Sequence, residues 1–262
     1  GLGDSIQFSR LLTVLSAQGA LVDLILHPHH SDLEGVLSTV AGINSIILVN
    51  GNRFKLQRRY DYHCPMMSLM GILKLTPAIE VANEAYISTP ASHKNKWFEY
   101  QERSEKKIGI VWSTALSDAF LKEHPMHASA KVKKSIALRQ LEPLFHLSHC
   151  CFFPLQIAIS EEDRQYLSKY DNICDVSEKL STFSDTAAMI DEMDLVISID
   201  TSVAHLAGAM GKETINLLGY VSDWRWQQNR EDTPWYASMS LYQQTFEGNW
   251  EQPVNKLVRL LQ

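Results

Sequence analysis

The sequence predicts an α/β protein made of two Rossmann-like halves with a cleft between them. Three observations point there. Residues 195–219, LVISIDTSVAHLAGAMGKETINLLG, read as strand, tight turn, helix and strand, half of a doubly wound sheet. The first 92 residues alternate helical and strand patterns. After a polar stretch at 93–106, the same alternation starts again with the apolar run at 108–112.

In chain order, GLGDS at 1–5 reads as a Gly-rich turn leading into a helix to about Gln18, with Leu and Phe at helical spacing. Strands follow at 21–26 and 45–49, with a Ser31-capped helix between them. The basic stretch 53–59 reads as solvated, 61–64 as a short strand, 65–75 as helical, and 85–88 as the segment closing the first half. Residues 93–107 are charged and helical in pattern, a linker helix. The loop 117–133 is long, His/Lys-rich and without periodicity. Helices are expected at 136–146, 161–169 (between strands at 150–157 and 173–176) and 184–193, the last capped by Ser184 and Asp185. The chain ends with an aromatic loop at 223–236, a strand near Leu241 and a helix at 250–261. The expected domains are 1–92, a linker at 93–106, 107–244, and a last segment 245–262 packing back toward the first half.

The totals set bounds. The 262 residues suffice for one large or two ordinary domains. A net charge of −6 argues against a nucleic-acid surface. No apolar run is long enough to span a bilayer, and no signal peptide is visible. Cys64, Cys150, Cys151 and Cys174 lack zinc-ligand spacing; Cys150 and Cys151 read as buried thiols of a reducing, cytoplasmic compartment. The chain starts at Gly1 inside a motif, so it reads as a piece of a longer protein, its first half lacking an opening strand.

The chemistry-bearing stretch is the one at 195–211. In doubly wound sheets ligands bind at the carboxyl ends of strands, where helix N-termini meet anions. Asp200, Thr201, Ser202 and His205 fall there, with His205 one turn after Thr201. The plainer reading is ordinary capping and a satisfied core histidine. His63 and Cys64 invite a nucleophile–base reading, but neighbours on a strand face opposite ways. No DxD pair has the spacing of a metal-dependent transferase, so neither a metal nor another cofactor is expected.

Seven blocks carry a resemblance: GLGDSIQFSR (1–10), HCPMMSL (63–69), IGIVWS (108–113), KKSI (133–136), FSDTAAMI (183–190), LVISIDTSVAHLAGAMG (195–211) and DWRWQQNREDTPWY (223–236). Together they resemble glycosyltransferase family 9, the heptosyltransferases, and more closely the glycosyltransferase region of bacterial tetratricopeptide-repeat proteins. The resemblance implies a GT-B fold. It implies metal-independent transfer of a sugar from a nucleotide-diphosphate sugar to a protein or glycan acceptor, with a repeat region upstream. Gly3 and the segment Asp200, Thr201, Ser202 and His205 would contact donor phosphate and sugar. Lys134 matches the family's basic residue before a Ser; its plainer reading is a solvated lysine beside Lys131 and Lys133. Trp112 and Ser113 would end a strand at the cleft, with core tryptophan as the alternative, and Gln156 would donate to the nucleotide. Asp223 and Trp224 would lie near the donor. Asp4 matches the family's acceptor-activating base, with a helix-capping role as the alternative. Thr114, Ala115 and the loop 117–133 depart from the family's short Gly/Asn-rich connection. Two rivals remain: a binding module without turnover, and a nucleotide-sugar epimerase.

Overall fold

The computed structural model describes residues 1–49, 58–76, 84–100, 105–114 and 134–262. The basic stretch at 53–57, Lys131, Lys133 and the loop expected at 117–133 lie outside them.

The second half is built on a parallel sheet of five strands: β3 (Lys106–Val111), β4 (Cys150–Pro154), β5 (Leu195–Ile199), β6 (Thr214–Leu218) and β7 (Met239–Gln243). Strands β4, β5 and β6 are buried at every position, as continuous apolar runs require when both sheet faces are covered. The spatial order is β4-β3-β5-β6-β7. The chain steps from β3 to β4 on one side, then returns to the other side of β3 for β5. The order therefore reverses between β3 and β5, and there the carboxyl ends of an open sheet leave a crevice. The first half has a parallel pair, β1 (Val22–Leu26) and β2 (Ile43–Leu48).

Helix α1 (Leu2–Ala17) begins at once. The expected Gly-rich turn at 1–5 is thus the helix's first turn, and Asp4 stands inside it rather than at the cap. Short helices follow: α2 (Glu34–Leu37), α3 (Leu69–Ile72), α4 (Glu142–Phe145) and α5 (Glu161–Leu167). Helix α6 (Phe183–Glu192) starts at Thr182, whose side chain accepts from Asp185 N–H while Asp185 reaches back, a capping box set two residues earlier than the expected Ser184 cap. Helix α7 is Ser202–Ala209, and Gly211 follows its end at φ +72°, the left-handed position glycine tolerates. Helix α8 (Glu251–Leu261) is the last.

Several expectations give way to tertiary contacts. Residues 61–64 form no strand, and 85–88, the segment closing the first half, packs on α7. The amides of Tyr86 and Ile87 donate to the Ala209 carbonyl at 2.9 and 3.1 Å, satisfying the end of α7. Where the linker helix was expected, the described residues hold two 3-10 turns, Ala91–His93 and Phe98–Tyr100, with Trp97 buried and Lys96 paired to Asp185; residues 101–104 of that linker lie outside the described residues. The helix expected at 136–146 is a 3-10 turn, Leu138–Leu141, continued by α4. The strand expected at 173–176 reduces to one bridge between Ile173 and Phe152. Helix α8, expected toward the first half, lies against 138–145 of the second half, with its Leu261 carbonyl 2.6 Å from His149 Nε2. Its buried face, Pro253, Val254, Leu257 and Leu261, finds its apolar partner there.

The two halves meet where α1 packs on α7. Gly3 makes this approach possible: a Cβ there would stand 2.7 Å from His205 Cδ2.

Candidate functional site

At the β3/β5 reversal, β5 ends at Ile199 and α7 starts three residues later. Thr201 is the N-cap, yet its side chain makes no cap bond. Ser198 Oγ donates to the Ile199 carbonyl at 2.8 Å, leaving Thr201 Oγ1 to bond Ser198 Oγ at 3.1 Å. The opening amides of α7 therefore carry no side-chain cap, and Asp200, Thr201 and Ser202 are half-buried at the rim. Lys134, arriving from the β3 side, donates from Nζ to Asp200 Oδ2 at 2.6 Å. An ammonium, the carboxylate that pairs with it and the positive end of a helix dipole thus meet at this strand end.

Beneath the rim lies His205, 3% exposed. Trp226 stacks on its ring at 5.2 Å, and Tyr236 meets it edge-on. The Tyr236 hydroxyl lies 2.8 Å from Nδ1, and Nε2 faces Asp200 Oδ1 at 4.0 Å. Burial lowers the His205 pKa to about 4, outweighing the attraction of Asp200. The ring is neutral at neutral pH. Instead of lining the crevice, as the sequence suggests, His205 is walled in by Gly3 and Trp226.

Arg225 is the second centre, a residue that the motif at 223–236 contains but does not single out. It sits on the 3-10 turn Trp224–Trp226, capped by Asp223, which accepts from Arg225 N–H at 3.1 Å and Nε at 2.9 Å. Across the halves, Nη2 donates to Asp4 Oδ1 at 2.8 Å and Nη1 to Gln7 Oε1 at 2.6 Å. Burial raises the pKa of Asp4, and the hydrogen bond and charge of Arg225 lower it. Trp224 is 60% exposed at this rim.

Other expected residues serve structure. Trp112 is buried and donates from Nε1 to Asp163 Oδ2 at 3.0 Å, so it is a core side chain and not a sugar platform. Gln156 is buried too. Its Nε2 donates to Ser113 Oγ at 2.9 Å and to the Ala158 carbonyl at 2.8 Å, while Oε1 accepts from Ser113 N–H. Both amide hydrogens are used, so it clasps the end of β3 and has no donor left for a nucleotide. His63 and Cys64 are exposed and lie on no strand. Among the described residues no cluster of His, Cys, Asp or Glu is arranged to hold a metal, and no helix is long and apolar enough to cross a membrane. Cys150 and Cys151 are buried, and Cys151 Sγ lies 3.1 Å from Cys174 Sγ.

The fold and crevice define a parallel α/β protein with a helix N-terminus lacking a side-chain cap where its strand order reverses. Residues 156–253 match the family model described as Glycosyltransferase family 9 (heptosyltransferase). The whole chain superposes on the glycosyl transferase family 9 structure from Veillonella parvula DSM 2008, with TM-score 0.62 and 12% identity over 100% of this chain and 94% of that one. It also superposes on ADP-heptose lipopolysaccharide heptosyltransferase II of E. coli, with TM-score 0.63 and 12% identity over 99% and 96%. These likenesses establish the α/β GT-B fold. Protein FlbA of Caulobacter vibrioides is 22% identical over 209 residues, covering 78% of this chain and 33% of FlbA. The chain thus spans about a third of the length of that curated relative.

Proposed function

We propose that this chain is the donor-binding and catalytic region of a glycosyltransferase that moves a sugar from a nucleotide-diphosphate sugar to a protein or glycan acceptor without a bound metal. The observation that carries the reading is the uncapped start of α7 beside the Lys134 ammonium, at the sheet's reversal point. When the bond between anomeric carbon and phosphate oxygen breaks, the electron pair stays on the diphosphate. Amides and an ammonium fixed in advance stabilise that charge without reorganising. Gly3, Ser113, Asp200, Thr201, Ser202, Asp223 and Trp224 would shape the donor site around Lys134. Asp4 would take the proton of the acceptor hydroxyl. The ADP-heptose enzyme of matching fold lends support to a nucleotide-sugar donor. A cytoplasmic bacterial protein with a tetratricopeptide region ahead of this chain is the setting that the family blocks suggest.

A second reading has its own observation. Asp4 is held by Arg225, whose hydrogen bond and charge favour the carboxylate form and make it a weaker base, and His205 is covered. Both favour a catalytically weak or inactive nucleotide-sugar-binding module of a larger protein. Calorimetry of the full-length protein with ADP, UDP and GDP sugars tests the shared part. Binding to one of them, weakened by Lys134→Ala, supports it; binding to none overturns it. Sugar transfer that Asp4→Asn abolishes separates the enzyme from the module.

A further inference from the structure

Tyr236, Gly208, His205, Asp200 and Lys134 form one connected line through the second half. Gly208 lies on α7 directly under the Tyr236 ring, where a Cβ would stand 2.5 Å from Cγ. The missing side chain lets the ring settle onto the helix and puts its hydroxyl 2.8 Å from His205 Nδ1. From His205, Nε2 faces Asp200 Oδ1 at 4.0 Å, and the other oxygen of that carboxylate holds Lys134. All the partners before Lys134 are buried or nearly so.

We propose that Tyr236 is a positioning residue: it donates to Nδ1 and so fixes His205 as the Nε2–H tautomer, which turns an N–H toward Asp200 and sets the carboxylate that aims Lys134. The Asp200 carboxylate on the Nε2 side sets the direction of the Tyr236–His205 bond, and two further contacts surround that phenol. The Tyr86 hydroxyl, the neighbouring phenol, donates to the Ile6 carbonyl at 2.9 Å, and the Arg10 guanidinium lies over the Tyr236 ring at 4.8 Å. Nδ1 and the Tyr86 hydroxyl oxygen are both acceptors within reach of the Tyr236 proton. A carboxylate on the Nε2 side favours a proton on that nitrogen. Burial keeps the ring neutral and the phenol protonated, so the bond persists through the physiological range. His205 thereby acts as a fixed donor, not as a proton shuttle. The consequence for an anion at Lys134 rests on the proposed donor site; the tautomer itself does not.

The test is long-range proton–nitrogen NMR of the 15N-labelled protein between pH 5.5 and 8, with the His205 signals assigned by their loss in His205→Gln. Nδ1 in the unprotonated range and Nε2 in the protonated range, unchanged with pH, is the expected result. A protonated Nδ1 in the wild type overturns the proposal. Tyr236→Phe keeps the ring but removes the donor, so His205 should shift to a mixture of tautomers. Nucleoside diphosphate affinity, measured with ADP, UDP and GDP, should fall roughly 3- to 10-fold. Trp226→Phe, which alters stacking without touching this bond, should keep the wild-type tautomer. An unchanged tautomer in Tyr236→Phe, or the same mixture in Trp226→Phe, overturns the positioning role. The expected tautomer in a protein that binds no nucleoside diphosphate supports the Tyr236–His205 assignment and defeats the donor-site reading alone.

Discussion

Arg225 and Asp4, 221 positions apart in sequence, meet at 2.8 Å between Nη2 and Oδ1. The same guanidinium holds Gln7 and Asp223, so one side chain spends all three of its nitrogens joining α1 to the 223–226 turn. Replacing it takes the guanidinium from two carboxylates and leaves the buried Gln7 amide oxygen without its donor. Arg225→Ala should lower unfolding free energy by about 3 kcal/mol, the range for breaking a buried charge network by removing one partner. Urea denaturation measures it. Arg225→Lys should recover only part, because an ammonium lacks the planar fork.

Lys134→Ala removes the crevice's ammonium while leaving α7 in place. Affinity for the nucleotide-sugar donor identified by calorimetry should fall roughly 10- to 100-fold, the size of a charge-assisted hydrogen bond. Thermal stability should change little, since Lys134 is 39% exposed.

His205 gives stability a defined pH dependence. Its folded pKa of about 4 lies below the ordinary histidine value, because burial disfavours the charged ring. The unfolded chain therefore binds the proton more readily between those two values. The stability this group contributes is complete above about 6.5 and drains as pH falls toward 4, by up to about 3 kcal/mol. Urea midpoints from pH 4 to 7 should fall more steeply with acid in the wild type than in His205→Gln.

Asp185 behaves likewise at lower pH. Burial raises its pKa, but hydrogen bonds from Lys96, from Ser181 and from Thr182 N–H outweigh it and hold the carboxyl far below its usual range. Its contribution is complete above about 4, the unfolded value, and is lost as pH drops further. Asp185→Ala should cost about 2–4 kcal/mol at neutral pH, because it removes the reciprocal half of the α6 capping box and leaves Lys96 without its buried partner. Chemical denaturation checks the loss.

Gly208→Ala should destabilise by about 1–3 kcal/mol, because the new methyl enters the space of the buried Tyr236 ring and neither helix nor ring has room to move. A lowered melting temperature is the measure.

What was legible in the sequence follows from what is locally encoded. The strands at 195–199 and 214–218 and the helix between them are written as apolar runs, a hydroxyl cap position and a stop glycine, and they stand as expected. Segment 61–64 is too short to decide for itself, and 85–88 is placed by a distant contact. The second is claimed by the carbonyl of Ala209, a partner more than a hundred positions away. Of the expected site residues, Lys134 and Asp200 come together. Trp112 and Gln156 turn inward, because a side chain just past a strand end points to core or crevice according to neighbours that no local pattern names. The Arg225 hub joins residues from opposite ends of the chain; only the run of tryptophans and charges at 223–236 hinted at a packed junction.

The Lys134–Asp200 pair changes how capture at the crevice should be pictured. An anion reaching Lys134 displaces a carboxylate that already neutralises it, so arrival swaps one counter-charge for another. The affinity then reports the difference between two pairings. Added salt weakens both members of the exchange, and it should shift occupancy less than it would shift capture by a bare ammonium.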